Sequence, residues 1–323
     1  MTRYCLSFIM AADLLLGGAV SAFSQSPNIR SGTSGAQFLK LGAGARAGAM
    51  ADSFAAIADD VSAAYYNPGA LYRLSGPQIT GSHTQYFQGM NYEVMQFAYP
   101  FGRQGDWSRH AFAAGIYYLS VDKLERRASD TTDSVGTFGA SDGAYALSYS
   151  YGVTRSLGAG VTLKGISQSI DTYHSSAFAT DLGVVYRVNP DGRMPLTLAA
   201  VLRNWGTRSR LAAGADYDTL PMAGVAAIGI EPIRGRLRLN VEGTKYRDAD
   251  AYVAAGGEYL HPIGDRMSAA LRGGYTSRHK DISGFKGLTL GAGLSYYRAT
   301  FDFAWLPFGH LGNTFRYSLL IKF

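Results

Sequence analysis

The sequence predicts an all-β protein, a transmembrane antiparallel β-barrel of about 14 strands carrying a small helical plug on its N-terminal side. Three observations carry that reading. From about residue 78 to Phe323, apolar residues alternate with small or polar ones in nearly every segment. That is the period-2 pattern of a wall with one face on lipid and one on a lumen. The connections between these segments alternate between short turns and longer loops, as the two rims of an outer-membrane barrel do. Finally, only 17% of the 323 residues are charged, while glycine (40) and tyrosine (22) are abundant. Mean hydropathy is nevertheless close to zero, because the apolar residues do not collect in runs.

Residues 1–24 read as a secretory signal peptide. Arg3 supplies the positive charge, an apolar run extends from Cys5 to Val20, and small residues at Val20-Ser21-Ala22 and Ala22-Phe23-Ser24 offer cleavage sites. Asp13 interrupts the run and argues against a retained transmembrane anchor. Beyond it no window approaches the ~20 apolar residues of a spanning helix. Cys5 is the single cysteine and leaves with the signal, so the mature chain is expected to have no disulfide, no Cys-ligated metal and no Cys nucleophile. The net charge of +6 is spread over strands and turns, and an exported chain does not meet nucleic acid.

Residues 25–76 form the expected plug and 77–323 the barrel. Within 37–74, Phe54, Ile57, Ala58, Val61, Ala64 and Tyr65 recur at helical spacing, with Asp52 or Ser53 as N-cap and Pro68 as terminator. Such an apolar stripe needs a buried partner, and the lumen is the enclosed space on offer. Gly42, Gly44 and Gly48 lack the spacing and the βαβ setting of a dinucleotide loop and read as points of close packing. The plug motif is Asn67, Pro68 and Gly69, with Asn67 expected to fix the following turn by bonding local backbone.

The run Gly-Ala-Arg-Ala…Met-Ala-Asp-Ser-Phe…Ala-Asp-Asp-Val-Ser-Ala-Ala-Tyr-Tyr-Asn-Pro-Gly-Ala-Leu resembles the N-terminal signature of the PorV/PorQ family of outer-membrane proteins. More distantly it is similar to the hatch of FadL-type barrels, which carries Asn-Pro-Ala. Asn67-Pro68 is kept, whereas Gly69-Ala70 stands where Ala-Gly is usual, and Ala49 and Ala51 stand where glycines are common. The stretch from Pro307 to Tyr317 also resembles that family, so the likeness touches both ends of the mature chain.

Turn chemistry places strands near 78–88, 91–101, 109–120, 142–153, 157–170, 177–189, 195–205, 219–231, 235–247, 251–262, 266–277, 285–296, 298–306 and 313–323. Typical alternations are Tyr145, Leu147, Tyr149 and Tyr151 against Ala144, Ala146, Ser148 and Ser150, or Phe301, Phe303 and Trp305 against Thr300, Asp302 and Ala304. Connections after even-numbered strands are short, such as Asn189-Pro190-Asp191-Gly192, and so periplasmic. Those after odd-numbered strands include 121–141, 206–218 and 277–284. The last strand alternates through Tyr317, Leu319 and Ile321 to a terminal Phe323, which resembles the signal read by the barrel-assembly machinery.

Charged residues on the inner face by this alternation are Lys164, Asp181, Arg187, Arg203, Arg238, Glu242, Glu258, Arg272, Asp302 and Arg316. A charge facing lipid is costly, so inward placement follows from stability alone. These groups read either as salt bridges that fill the lumen and hold the plug or as the lining of a solute path. No pair of the six histidines has metal-ligand spacing, and no cofactor motif is present. Ser82 and His83 are adjacent and face opposite ways; His174 and Ser176 share a face but fall in a polar loop, so a hydrolase is disfavoured.

The resemblance implies a component of the type IX secretion system that receives exported cargo proteins and passes them on, with no chemistry of its own. The alternative is a FadL-like channel for long-chain fatty acids or other hydrophobic small molecules. Either way the expected location is the outer membrane of a Gram-negative type cell, and the expected partners are outer-membrane lipid and the assembly machinery, not nucleic acid.

Overall fold

The computed structural model describes residues 32–130, 133–211, 216–279 and 287–323. The expected signal peptide, 1–24, and the first plug residues, 25–31, lie outside them. Fourteen antiparallel strands close into a barrel: β1 (Gln78–Gln85), β2 (Asn91–Gln104), β3 (Trp107–Arg126), β4 (Gly136–Gly152), β5 (Leu157–Ile170), β6 (Tyr173–Arg187), β7 (Leu196–Gly206), β10 (Ala223–Ile233), β11 (Leu237–Tyr246), β12 (Tyr252–Ile263), β13 (Met267–Thr276), β14 (Leu288–Tyr296), β15 (Ala299–Pro307) and β16 (Asn313–Lys322). A two-residue pair, β8 (Arg208–Ser209) with β9 (Asp218–Thr219), stands outside the wall in the loop after β7.

The seam is β1 against β16, in register from Gln78↔Lys322 to Gln85↔Phe315. It is sealed where Phe323 N–H donates to the Pro77 carbonyl at 2.9 Å. Closure leaves no edge strand, which a lipid environment demands. Burial alternates along the strands, as in β6, with Leu182, Val184 and Tyr186 exposed and Asp181 and Val185 buried. This is an outer-membrane barrel, and the end bearing Phe323 and the short turns is its periplasmic rim.

Two expectations about the connections need correction. The loop expected over 121–141 is mostly strand: β3 runs on to Arg126, past a bulge at Lys123 (φ 60°), and pairs with β4 from Gly136. Both faces of this hairpin are solvated beyond the membrane, so it carries no alternation to read. The loop over 206–218 likewise contains β8 and the start of β9.

The plug is also different from the expected amphipathic helix. Among the described residues it contains only short pieces: four-residue helical turns, Ala45–Gly48 and Ala63–Tyr66, and 3₁₀ turns, Gln37–Lys40 and Pro68–Arg73. Ala51 and Asp52 take positive φ (56° and 57°), and the N–H groups of Phe54 and Ala55 donate to the Glu242 carboxylate of the wall at 3.1 and 3.0 Å. With Ala51 and Asp52 in the left-handed region and the chain closed only into the isolated turn from Phe54 to Ala58, no helix runs through 53–62. Asp52 and Ser53 are accordingly not caps. Asp52 accepts from the Tyr66 hydroxyl at 2.6 Å, and the Ser53 hydroxyl donates to wall carbonyls.

Candidate functional site: plug and lumen

The plug runs the length of the lumen. At the extracellular mouth Gly32 N–H donates to the Asp248 carbonyl and Gly35 N–H to that of Thr219. Asp248 then takes hydrogen bonds from Ser34 N–H, Gln37 and Lys40, the last also an ion pair at 2.8 Å. The chain descends past Phe54 and Tyr65 and leaves at Pro77, beside Phe323 on the periplasmic rim.

Its contacts with the wall differ from side to side. Toward β11–β16 they are ionic. Arg46 reaches Asp59 and Asp60 of the plug at 2.6 Å each, and makes a two-pronged bond to Glu258 on β12. Glu258 also binds Arg272 at 2.7 Å and Arg238 at 3.3 Å; Arg272 continues to Asp302, and Arg238 to Asp59 and Glu231. Arg316 bridges Asp52 and the Gly44 carbonyl. Burial pushes the Asp59 carboxyl up, but Arg238 and Arg46 outweigh it and hold Asp59 well below the usual carboxylate range.

Toward β2–β10 the inner wall is largely apolar and small. Ala111, Ala113, Ala144, Ala146, Ala177 and Ala179 face inward with Ile166, Val185, Tyr92 and Tyr117, joining one hydrophobic cluster with Val61, Ala64, Tyr65 and Leu71 of the plug. Tyr65 packs on Tyr117, ring centroids 5.3 Å apart. Buried Gln96, Ser148, Ser150 and Thr162 are interspersed on this face, and a charged cluster interrupts it at a bulge in β7 where Arg203 and Asn204 oppose Asp181. Asn204 takes φ 57°, its N–H donates to Asp181, and Lys164 pairs with Asp181 at 2.6 Å and with the Asn204 amide at 2.9 Å. Arg203 donates to the Tyr66 carbonyl at 2.6 Å.

Of the ten lumen charges singled out in the sequence, Arg238, Glu258, Arg272 and Asp302 meet in the Arg46 network, while Arg316 binds the plug separately. Glu242 binds plug backbone, and Lys164, Asp181 and Arg203 gather at the bulge. Arg187 stands apart, half-buried at the periplasmic end of β6. In the plug motif, Asn67 Oδ1 accepts from Gly69 N–H at 3.0 Å and caps the 3₁₀ turn that Pro68 opens. Its amide donates to Ala55 and Val184 carbonyls, tying plug to wall. Tyr317, Leu319 and Phe323 point outward on β16. His174 and Ser176 lie in β6, not in a loop, and are both exposed on its outer face.

Two sets of residues escaped the sequence reading. Arg46, hub of the ionic side, lies 13 and 14 residues from Asp59 and Asp60 and 212 from Glu258, which no local spacing reveals. Wall glycines are the other. A Cβ on Gly160 would stand 2.5 Å from the Pro68 carbonyl carbon, and one on Gly256 2.5 Å from Met50 Cβ. Glycine there lets the plug backbone lie directly on the wall. The lumen is therefore filled, and a concavity of about 660 Å³ lies on the lipid side instead, over Ala114, Gly165 and Thr180.

No protein-family profile matches the sequence, and no curated protein matches it. Solved structures do. The chain is similar to the toluene transporter TbuX of Ralstonia pickettii, with TM-score 0.55 and 14% identity, over 87% of this chain and 98% of that one. It is similar to the toluene transporter TodX of P. putida, with TM-score 0.55 and 10% identity, over 87% and 99%. At this identity the likeness establishes a shared fold, a FadL-like outer-membrane barrel with its lumen occupied. Both neighbours are described as toluene transporters, and nothing in the comparisons supports the PorV/PorQ resemblance.

Proposed function

We propose that this protein is a plugged outer-membrane channel that admits small hydrophobic solutes along the seam between the plug and the β2–β7 side of the wall. The observation that carries this reading is the division of the lumen. Ion pairs anchor the plug to β11–β16, whereas the side chains of Tyr65, Ala64 and Val61 meet an apolar wall of small residues through non-directional contacts, and the ties on that side are a few hydrogen bonds, from Thr162, Asn67 and Arg203. A hydrophobic solute replaces such contacts with equivalent ones; an ionic solute would have to break buried pairs. The structural likeness to two toluene transporters supports the same reading. The cargo-receptor reading rests on the sequence resemblance alone.

A reversible tether tests the proposal. The Thr162 hydroxyl lies 3.4 Å from the Ala64 carbonyl across the seam, and the sequence from Leu6 onward is free of cysteine. In Ala64→Cys/Thr162→Cys, oxidation should cut uptake of a hydrophobic probe such as N-phenylnaphthylamine several-fold, and reductant should restore it. Unchanged uptake with the disulfide formed refutes a path along this seam. Loss of cargo display on trimming 207–217, with uptake intact, would favour the secretion role.

A further inference from the structure

The periplasmic rim carries cations that the plug and the lumen do not use. Under β10–β16 they form an arc: Arg234 and Arg236 in the turn after β10, Arg266 after β12, Arg298 after β14, and Lys322 at the end of β16, all exposed. The arc is continuous in the backbone. Leu260 N–H donates to the Arg236 carbonyl at 2.7 Å, Tyr297 N–H to that of Arg266 at 2.8 Å, and Lys322 N–H to that of Arg298 at 2.9 Å. Among the described residues none of these five cations forms an ion pair. The nearby carboxylate Glu231 is engaged by Arg238 on the lumen side, leaving Asp265 as the acid of the arc. In the opposite sector Arg155 is neutralised between Asp106 and Asp191 at 2.9 and 2.8 Å, Arg103 donates to the Gly105 and Ser75 carbonyls, and Arg193 is exposed in the turn after β6. The extracellular loops mix the signs, with Asp216, Asp218, Asp248 and Asp250 among Arg208, Arg210 and Arg247.

We propose that this arc binds the phosphate headgroups of anionic phospholipid in the periplasmic leaflet of the outer membrane. A lipid surface fits better than a soluble acidic protein because of where the cations stand. They sit at the lower edge of the apolar band, beside exposed Ile233, Ile263, Tyr296 and Phe323. Arg266 and Arg298 both lie over the ring of Tyr297, at 6.0 and 5.7 Å from its centroid, and Tyr297 is itself 70% exposed. Aromatic rings flanked by guanidinium groups at this depth face headgroups, and a row of basic residues selects the anionic ones.

The test uses the folded barrel in detergent with equal amounts of palmitoyl-oleoyl phosphatidylglycerol and phosphatidylcholine, the bound lipid being counted by native mass spectrometry. Phosphatidylglycerol should be retained about tenfold over phosphatidylcholine, an advantage that four or five basic residues readily supply. In Arg234→Gln/Arg236→Gln/Arg266→Gln/Arg298→Gln the preference should fall to parity. Arg208→Gln/Arg210→Gln, which removes two exposed cations from the extracellular loop after β7, should keep it. If the fourfold variant fails the heat-shift test of barrel folding, the double variant Arg266→Gln/Arg298→Gln takes its place and should lose about threefold. Equal retention of both lipids by the unaltered protein overturns the proposal and leaves the arc to an acidic protein. A preference that survives in a folded arc variant, or falls equally in the control, overturns it too.

Discussion

Arg46 and Glu258 meet in a bidentate pair, Nε to Oε2 at 2.8 Å and Nη2 to Oε1 at 2.7 Å, with the carboxylate fully buried. One belongs to the plug and the other to the wall, so this pair decides how firmly the plug is held. Removing the guanidinium in Arg46→Met leaves Asp60 without its cation, and Glu258 and Asp59 with only Arg272 and Arg238, and should cost about 3 kcal/mol of plug binding. Protease accessibility of the plug should rise while the heat-shifted gel mobility of the barrel stays. An unchanged digestion rate would mean that Arg238 and Arg272 suffice.

Asn67→Ala removes the cap of the Pro68–Arg73 turn and both bonds to Ala55 and Val184. About 2 kcal/mol of local stability should be lost, a cap plus one tie to the wall. Amide exchange at Gly69 and Ala70 should accelerate, with little change along β16.

Gly160→Val forces a side chain against the Pro68 carbonyl carbon, where even a Cβ has only 2.5 Å. Since the obstacle is backbone, the plug must move, at about 1–3 kcal/mol or more. Larger or more frequent current steps in planar bilayers are expected. A Gly160→Val barrel as closed as the parent would show that the wall yields instead.

The extracellular strap titrates in acid. Burial pushes Asp248 up, but its hydrogen bonds from Lys40 and Gln37 outweigh that and hold it below the usual carboxylate range. Burial also lowers Lys40, which Asp248 partly offsets. A depressed carboxyl stabilises the folded strap above its unfolded pKa, about 3.9, and that contribution fades as pH falls through the folded value. The strap should therefore hold at pH 7 and release only below about pH 4. A spin label at Ser34 should gain mobility in that window, and Asp248→Asn should abolish the transition.

Strands were legible because each carries its own record of two faces: Tyr145, Leu147 and Tyr149 against Ala144, Ala146 and Ser148 need no partner to be read. The β3–β4 hairpin beyond Val121 was not, since Asp122, Lys123, Glu125 and Arg126 meet water on both sides. The plug misled for another reason. Its apolar spacing is helical, but the chain turns through positive φ at Ala51 and Asp52 and is then held by the wall, with Phe54 and Ala55 bonded to Glu242 about 190 residues away. Alternation says which residues share a face; it does not say which strand stands opposite the plug. The ionic and apolar halves of the lumen, and the hub at Arg46, appear only once the barrel is closed.

The plug enters at one mouth and exits at the other, with β1 and the closing seam following at once. Gly32 is anchored among the outer loops, Pro77 on the inner rim, and the chain between them is threaded through a ring. A ring that closed first would have to pass the whole leading chain through its full bore. The order of assembly this topology favours has the strand sheet curl around a plug already laid against β11–β16, with β1 meeting β16 last. The Arg46–Glu258 pair, which joins the first part of the chain to a strand some two hundred residues later, on that order forms before the barrel closes.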